Sequence, residues 1–547
     1  MIMKRFPKLA MTAAVAALAA QSADAQNVGA ACGCPPVSSR TTVTLDPTNA
    51  PSVVAANGDL IPSSYTMTCD KLYILNDKLF VGANKDLFIE PGTVIKSPNI
   101  GGGNAAALII SREGQLWANG TESCPIIFTS TADALDGNYP VTNRGKWGGI
   151  ILLGRALNNI RQTDVGSVAL TGTPGVGLIE GLPADPRGHY GAPVGSEVND
   201  DNSGVIRYVS IRHGGELLGA NNEINGLTMG SVGSGTTIDH VEVISNLDDG
   251  FEFFGGTVNA KYLVAMHNDD DYIDWDQAYS GRVQFAYGLQ GPDNRGGALN
   301  QGDNGLELDR DDHPTNSTNG GANGGGQIWN ATIFSRTDGA NADPINLNPA
   351  AADEAIEAKE RTWGSVNNSI FANFRSGLNL IGAAGAGNTT DNWIAGNFNV
   401  RSCTFVNCTN PLRINGANVT SGADFTKFTT TDGNTILASG LVDATLDVNP
   451  MLTTNTITDR VNPVPAAGTA TTTLKPSSTE SFLSPVHYRG AFAPGQTPWT
   501  QNWTLAADIG SDVSSFAGCP GDLNKDGLIN SSDFGLFVGA FNGSCPQ

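Results

Sequence analysis

Apolar and polar residues alternate in short runs along most of the chain, and clusters of Asn, Asp and Gly separate the runs. The segment "DKLYILNDKLFVGANKDLFIEPGTVIKS" (70–97) holds three of them. "AALIISREGQLWANG", "CPIIFTST", "KWGGIILLG", "GVIRYVSIRHGG", "TTIDHVEVISN", "AKYLVAMHNDDD" and "RVQFAYGLQG" continue the pattern, followed by "NATIFSRT", "NSIFANF" and "SCTFVNC". A period of two over a few residues, bounded by turn formers, predicts strands. The runs also resemble one another. "VIRYVSI" at 205–211 matches "TIDHVEV" at 237–243, an offset of 32. Phe334, Phe371 and Phe405 share a slot at offsets of 37 and 34, with Asn373 and Asn407 two places on from the later two.

Repeats of irregular length, each made of short strands and Asn/Gly turns, predict a solenoid in which each turn of chain stacks on the last at about 4.8 Å. The expected fold is all-β, a right-handed parallel β-helix. A β-sandwich or jelly roll is the alternative. It requires hairpins, and Asn-Gly turns between matched strands are scarce. "NPAAADEAIEAKERTW" (348–363) is the best helix candidate, an exposed excursion. The Gly/Asn-rich stretch 291–326 reads as a loop or rung insertion, and the Thr/Pro-rich 453–476 as a surface wrap.

Composition narrows the function. Of 547 residues, 67 are Gly and 15% are charged, and the net charge is -22. Such a chain does not seek nucleic acid or anionic membrane surfaces; it favours cations. Lys4, Arg5 and Lys8 precede a twelve-residue apolar run, "LAMTAAVAALAA", and Ala23-Asp24-Ala25 follows as a cleavage site. Residues 1–25 therefore read as a signal peptide for an extracellular or cell-surface protein, and no later stretch is apolar enough to span a membrane. In an oxidising compartment the eight cysteines become a disulfide framework. Cys403 with Cys408 and Cys519 with Cys545 are the local pairings expected. Cys32 and Cys34 are too close in sequence to join each other and reach elsewhere.

The runs "LFIEPGTVIK", "PIIFTS", "KWGGIILLG" and "NEINGLTMGSVGSGTTIDHVEVISNLDDGFEFFGGTVNAKYLVA", with the late "VHYRGAFAP…WTQNWT", resemble secreted bacterial surface proteins of the pectin-lyase-like, right-handed parallel β-helix superfamily. The resemblance covers about 69–505. It implies the fold and an extracellular location. The expected organisation is a signal peptide (1–25), an N-terminal extension or cap (26–68), the β-helix (69–507), a linker (508–518) and a small C-terminal module (519–547).

That module contains "GDLNKDGLINSSDFGLF". Asp522, Asn524, Asp526, Gly527, Leu528, Asn530 and Asp533 fall at positions 1, 3, 5, 6, 7, 9 and 12 of a calcium loop. Alternate oxygen donors converge on one hard cation, Gly527 allows the sharp turn, and Leu528 offers its carbonyl. The frame resembles a single dockerin repeat, where dockerins have two. It makes Ca²⁺ the expected cofactor. An Asp/Asn-rich turn without a metal is the plainer reading.

"SNLDDGFEFFGG" (245–256) raises a second site. It maps at an offset of 22 onto "HNDDDYIDWDQA" (267–278), Glu252 on Asp274 and Phe251 on Ile273, and Glu307 of "DNGLELDRDD" continues the pattern. Strand alternation turns Phe251 and Phe253 inward and Glu252, Asp274 and Glu307 outward. Three readings compete for Asp248, Asp249, Glu252, Asp270, Asp271 and Asp274: a solvated face with turn-capping Asp, a Ca²⁺ site, or acid–base catalysis by Glu252, Asp274 and Glu307 on a polysaccharide. Lys261 and Arg282 on adjoining strands are the basic residues in reach. "RHGG" at 212–215 is only a fragment of a catalytic pattern, and Arg310 and His313 near Asp309 could serve one but read first as salt-bridge partners in an acidic loop. Trp147, Trp275, Trp363 and Trp393 are isolated and read as core.

The function expected is that of a secreted structural or adhesive β-helix stabilised by Ca²⁺. Its partners would be other copies of itself, other surface proteins or extracellular polysaccharide. A polysaccharide lyase or glycoside hydrolase is the alternative.

Overall fold

A computed structural model describes residues 28–160, 169–170, 172–180, 182, 185–216, 224–290, 304–310, 325–335, 354–382, 388–437, 463–465, 474–477 and 481–508. The signal-peptide and calcium-loop readings, the linker beyond Asp508, and Cys519, Cys545 and His313 lie outside these residues; Asp508 itself ends the helical turn Leu505–Asp508.

The strands wind into a right-handed parallel β-helix. An 18-stranded sheet supplies two faces of the coil and an 11-stranded sheet the third. Within the coil the strands pair in parallel from one turn to the next; a small sheet of Ala169–Leu170, Val176–Leu178 and His189–Gly191, and Ala417–Asn418 against Asn410–Ile414, pair antiparallel. Val205 stands beside Thr237 and Ile211 beside Val243, the offset of 32 in the sequence. Phe251 stands beside Ile273 and Phe253 beside Trp275, the offset of 22. Phe371 pairs with Phe405, but the residue opposite Phe371 on the other side is Ile333 and not Phe334. A shift of one residue changes the face. Ile333 points into the coil, while Phe334 packs on its outside against the C-terminal segment.

Four long strands make the bend between the first two faces: Gly204–Arg212, Thr237–Ile244, Asn259–Met266 and Arg282–Leu289. Each carries one left-handed residue in its middle, Tyr208, His240, Tyr262 and Phe285. This conformation turns the chain without ending the strand. The four rings then stack in a column, with centroids 4.4, 4.3 and 5.0 Å apart. Trp499 and Trp503 lie edge-on against them.

Inside the coil, aliphatic and aromatic side chains from all three faces form one core; Phe251, Phe253, Trp275 and Leu308 are in it. Among the described residues two segments cover the outside. The excursion after Ile150–Leu153 packs Ile179, Leu182 and Tyr190 on Ile109, Ile151 and Phe254. The C-terminal segment packs Phe492, Trp503 and Leu505 on Val264, Met266 and Leu289. Parts of the expected surface wrap dock here too: Val464 is buried in this layer, and Leu474 exchanges two hydrogen bonds with Asn368.

The helix expected over 348–363 is not formed where the chain is described. Glu354–Ala358 is a buried strand between Leu306–Leu308 and Ser376–Leu380. Its Ala/Glu-rich composition favours a helix only weakly. Burial of Ile356 and Ala358 in the coil, with ladder hydrogen bonds on both sides, outweighs that preference.

Two disulfides staple the N-terminal end, Cys32–Cys124 and Cys34–Cys69. Cys403 and Cys408 are not joined and are both buried thiols. Strand Thr404–Val406 lies between them, and their thiols turn to separate carbonyls, Cys403 to that of Val366 and Cys408 to that of Val406. At the far end Phe428 inserts against Phe405 from a short helical segment and closes the last turns of the core. Among the described residues no helix is long and apolar enough to cross a membrane.

Candidate functional site

The 11-stranded sheet sets the site. Its register runs Ile151, Thr228, Glu252, Asp274, Glu307, Glu357, Asn379, Arg413. All of these side chains leave the sheet on the face opposite the core. Four consecutive carboxylates thus stand one rung apart, about 4.8 Å. The sequence reading placed three of them. Glu357 was hidden by the helix reading, and Thr228 and Asn379 carry no charge to mark them.

The column does not face open water. Glu252 is 7% exposed and Asp249 is 6% exposed. Glu180, on the covering excursion, adds a further negative charge to the surroundings of Glu252. Carboxylate oxygens of Asp249, Glu252 and Asp274 all lie within 4.8 Å of one another. Those of Asp248, Asp249 and Asp270 form a second such group at the turn, and those of Asp271, Asp274 and Glu307 a third.

Asp249 and Asp271 also cap turns. The amide of Asp271 donates to Asp249 at 2.9 Å, and the amide of Asn304 donates to Asp271 at 2.6 Å. This is the turn-binding role that short acidic side chains favour. Asn225 donates its side-chain amide to Glu252. Its Oδ1, with Thr228 Oγ1, Asp274 Oδ1 and Asn304 Oδ1, is buried and accepts or donates no hydrogen bond among the described residues.

Charge compensation divides the column in two. Lys359 Nζ lies 2.6 Å from Glu307, 3.6 Å from Asp309 and 3.7 Å from Glu357. Arg413 lies 2.7 Å from Glu354, which also accepts from Asn379. Asp249, Glu252 and Asp274 form no ion pair with a described Lys or Arg. Lys261 is turned instead to Ser484 and Phe482 of the C-terminal segment, and Arg282 donates to the carbonyls of Ser280 and Gly281.

The protonation equilibria follow from this placement. Burial raises the pKa of Asp249 well above the usual carboxylate range, and Asp248 and Asp271 add to it. Burial followed by Glu180 and Asp274 does the same for Glu252, and burial followed by Glu307 for Asp274, where Lys359 opposes. Glu357 is pushed up to about 8 by burial and the neighbouring Glu354 and Glu307. Burial works against the Lys359 ammonium, yet Asp309 and Glu307 hold its pKa above the ordinary lysine value.

The remaining candidates sit elsewhere. Arg310 lies over the ring of Trp363, 4.5 Å from its centroid. Arg212 and His213 of "RHGG" are buried; Arg212 donates to Ser210, and burial holds His213 down to about 4. Trp147, Trp275 and Trp393 are buried side chains of the core, as their isolation suggested.

A three-faced parallel coil with an acidic column on one outer face defines a parallel β-helix protein of the pectate-lyase type. Residues 59–441 match the family described as pectate-lyase like beta helix domain, and the chain belongs to that family. No curated protein matches the chain.

Proposed function

We propose that the protein is a secreted, cell-surface structural or adhesive β-helix whose carboxylate column is neutralised by Ca²⁺. The observation that carries this reading is the trio Asp249, Glu252 and Asp274. Three acids share one space and no described ion pair compensates them. Two states relieve such crowding, protonation or a bound cation. Hard oxygen donors suit Ca²⁺, with the free Asn225 Oδ1 as a neutral ligand beside them. The C-terminal loop from Asp522 to Asp533 would be a second, independent Ca²⁺ site. The stapled N-terminal end and the Phe428 closure support a self-contained rod. Association with other copies or surface proteins would then run through its sides or its C-terminal module.

Membership in a pectate-lyase-like family favours a second reading, an enzyme acting on acidic or neutral polysaccharide. On this reading Glu252 and Asp274, with their raised pKa values, would move the protons; it ranks second because a bound cation relieves the crowding of the three acids without any substrate.

The deciding experiment is calorimetric titration with Ca²⁺ of the full chain carrying Asp522→Ala and Asp526→Ala, with and without Glu252→Gln. Residual Ca²⁺ binding that disappears with Glu252→Gln supports the column. Binding that is absent in both, or equal in both, overturns it. Release of oligosaccharide by the wild type, lost in Asp274→Asn, would establish the enzyme reading instead.

A further inference from the structure

Away from the column, an open cleft of about 420 Å³ lies at the corner where the first strands of the 11-stranded sheet turn out of the coil. Gly82, Ala83, Pro186 and Pro193 wall it, and three guanidinium groups, those of Arg112, Arg155 and Arg187, converge on it with a single acid, Glu113. In a chain of net charge -22 the cleft gathers three arginines, and ion pairs with Glu113, Asp59 and Asp185 involve only two of them, Arg155 and Arg187.

The three arginines are not equivalent. Arg187 is committed to the structure: it bonds Asp185 through Nε and Nη2, reaches Asp59 at 2.7 Å, and stacks 3.8 Å over the Phe80 ring. Arg155 makes one ion pair, 2.5 Å to the half-exposed Glu113. Arg112 donates from Nη1 to the carbonyl of Gly191 at 3.0 Å, and its Nε and Nη2 have no partner among the described residues. It leaves the rung next to that of Arg155, so like charges face each other at the same corner. Burial, and next Arg155, lower the pKa of Arg112 from its usual value, and Glu113 opposes them.

We propose that this cleft binds a small oxyanion, a carboxylate or a sulfate ester, carried on a body about one ring in size. The guanidinium fork of Arg112 matches two oxygens of such a group. Arg155 closes on it by exchanging its contact with Glu113. Proline and alanine walls receive the apolar edge of the ring. The volume is near the lower end for small-molecule sites.

The test uses the full chain with cyclohexanecarboxylate, cyclohexyl sulfate and, as neutral control, cyclohexanol, at constant ionic strength, followed by calorimetry or ligand-observed NMR. We expect saturable binding of at least one anion and none of the alcohol; which anion wins identifies the oxyanion. Arg112→Gln should weaken it about tenfold or more. Arg207→Gln, which removes the same charge from a distant exposed site, should not. Arg155→Gln is the second variant should Arg112→Gln fail to fold. Binding no tighter for either anion than for the alcohol overturns the proposal. So does affinity unchanged in the Arg112 variant or, if that variant does not fold, in Arg155→Gln.

Discussion

Glu252 and Asp274 stand opposite each other on adjacent parallel strands, both turned out of the core and both crowded by Asp249. Their proximity is fixed by the hydrogen-bonded register and cannot relax without breaking the sheet. Ca²⁺ should therefore raise the melting temperature of the chain even when the 519–547 loop is disabled. A stabilisation of about 2–3 kcal/mol is expected once Ca²⁺ exceeds its dissociation constant a hundredfold. Glu252→Gln should cost little in chelator and should lose most of this gain. Paired melting series with Ca²⁺ and with chelator check it.

The same crowding sets an unusual pH dependence. The folded pKa values of Asp249, Glu252, Asp274 and Glu357 are raised, so the folded state binds protons that the unfolded state has already released. Their contribution is fully present below the unfolded value and is lost as pH rises through the folded one. For Glu357 that window runs from 4.5 to about 8. In chelator, stability should fall as pH climbs through it, and Ca²⁺ should flatten the fall. Urea midpoints measured across that range, with and without chelator, test both statements.

Lys359 answers three acids at once. Lys359→Met should leave Glu307, Asp309 and Glu357 uncompensated and destabilise by about 3–5 kcal/mol in chelator. Ca²⁺ should restore more stability to this variant than to the wild type, because the cation-binding region then extends down the column. Denaturation with and without Ca²⁺ measures the difference.

Phe251 is fully buried among residues of all three faces. Phe251→Ala should cost about 3–5 kcal/mol through the cavity it leaves. A lowered urea midpoint with an unchanged slope is the expected signature, independent of Ca²⁺.

Glu242 accepts the amides of Leu505 and Ala506, each at 2.9 Å, and latches the C-terminal segment to the coil. Glu242→Ala should strand those amides at a cost of about 1–3 kcal/mol. Limited proteolysis should then cut within 481–508 before the coil is touched.

Strand alternation and the repeat offsets determined the coil, its register from Val205 to Ile211 and from Phe251 to Phe254, and the direction of Phe251 and Glu252. These are local properties: a period of two assigns faces, and a matched offset aligns rungs. What the sequence could not decide depended on contacts between distant segments. Glu354–Ala358 is a strand because neighbours on both sides bury it, and so Glu357 and Lys359 joined a column that local propensity had assigned to a helix. The slot of Phe334 was misread by one residue because the C-terminal segment, far along the chain, provides an outer layer in which that ring is buried. Glu252 points outward as its position in the strand requires. Whether outward means water or a crowded interior was decided only when the excursion after Leu153 folded back over the sheet, bringing Glu180 towards Glu252. Burial belongs to the tertiary structure, and it is burial that turns a row of acids into a site that must hold protons or a cation.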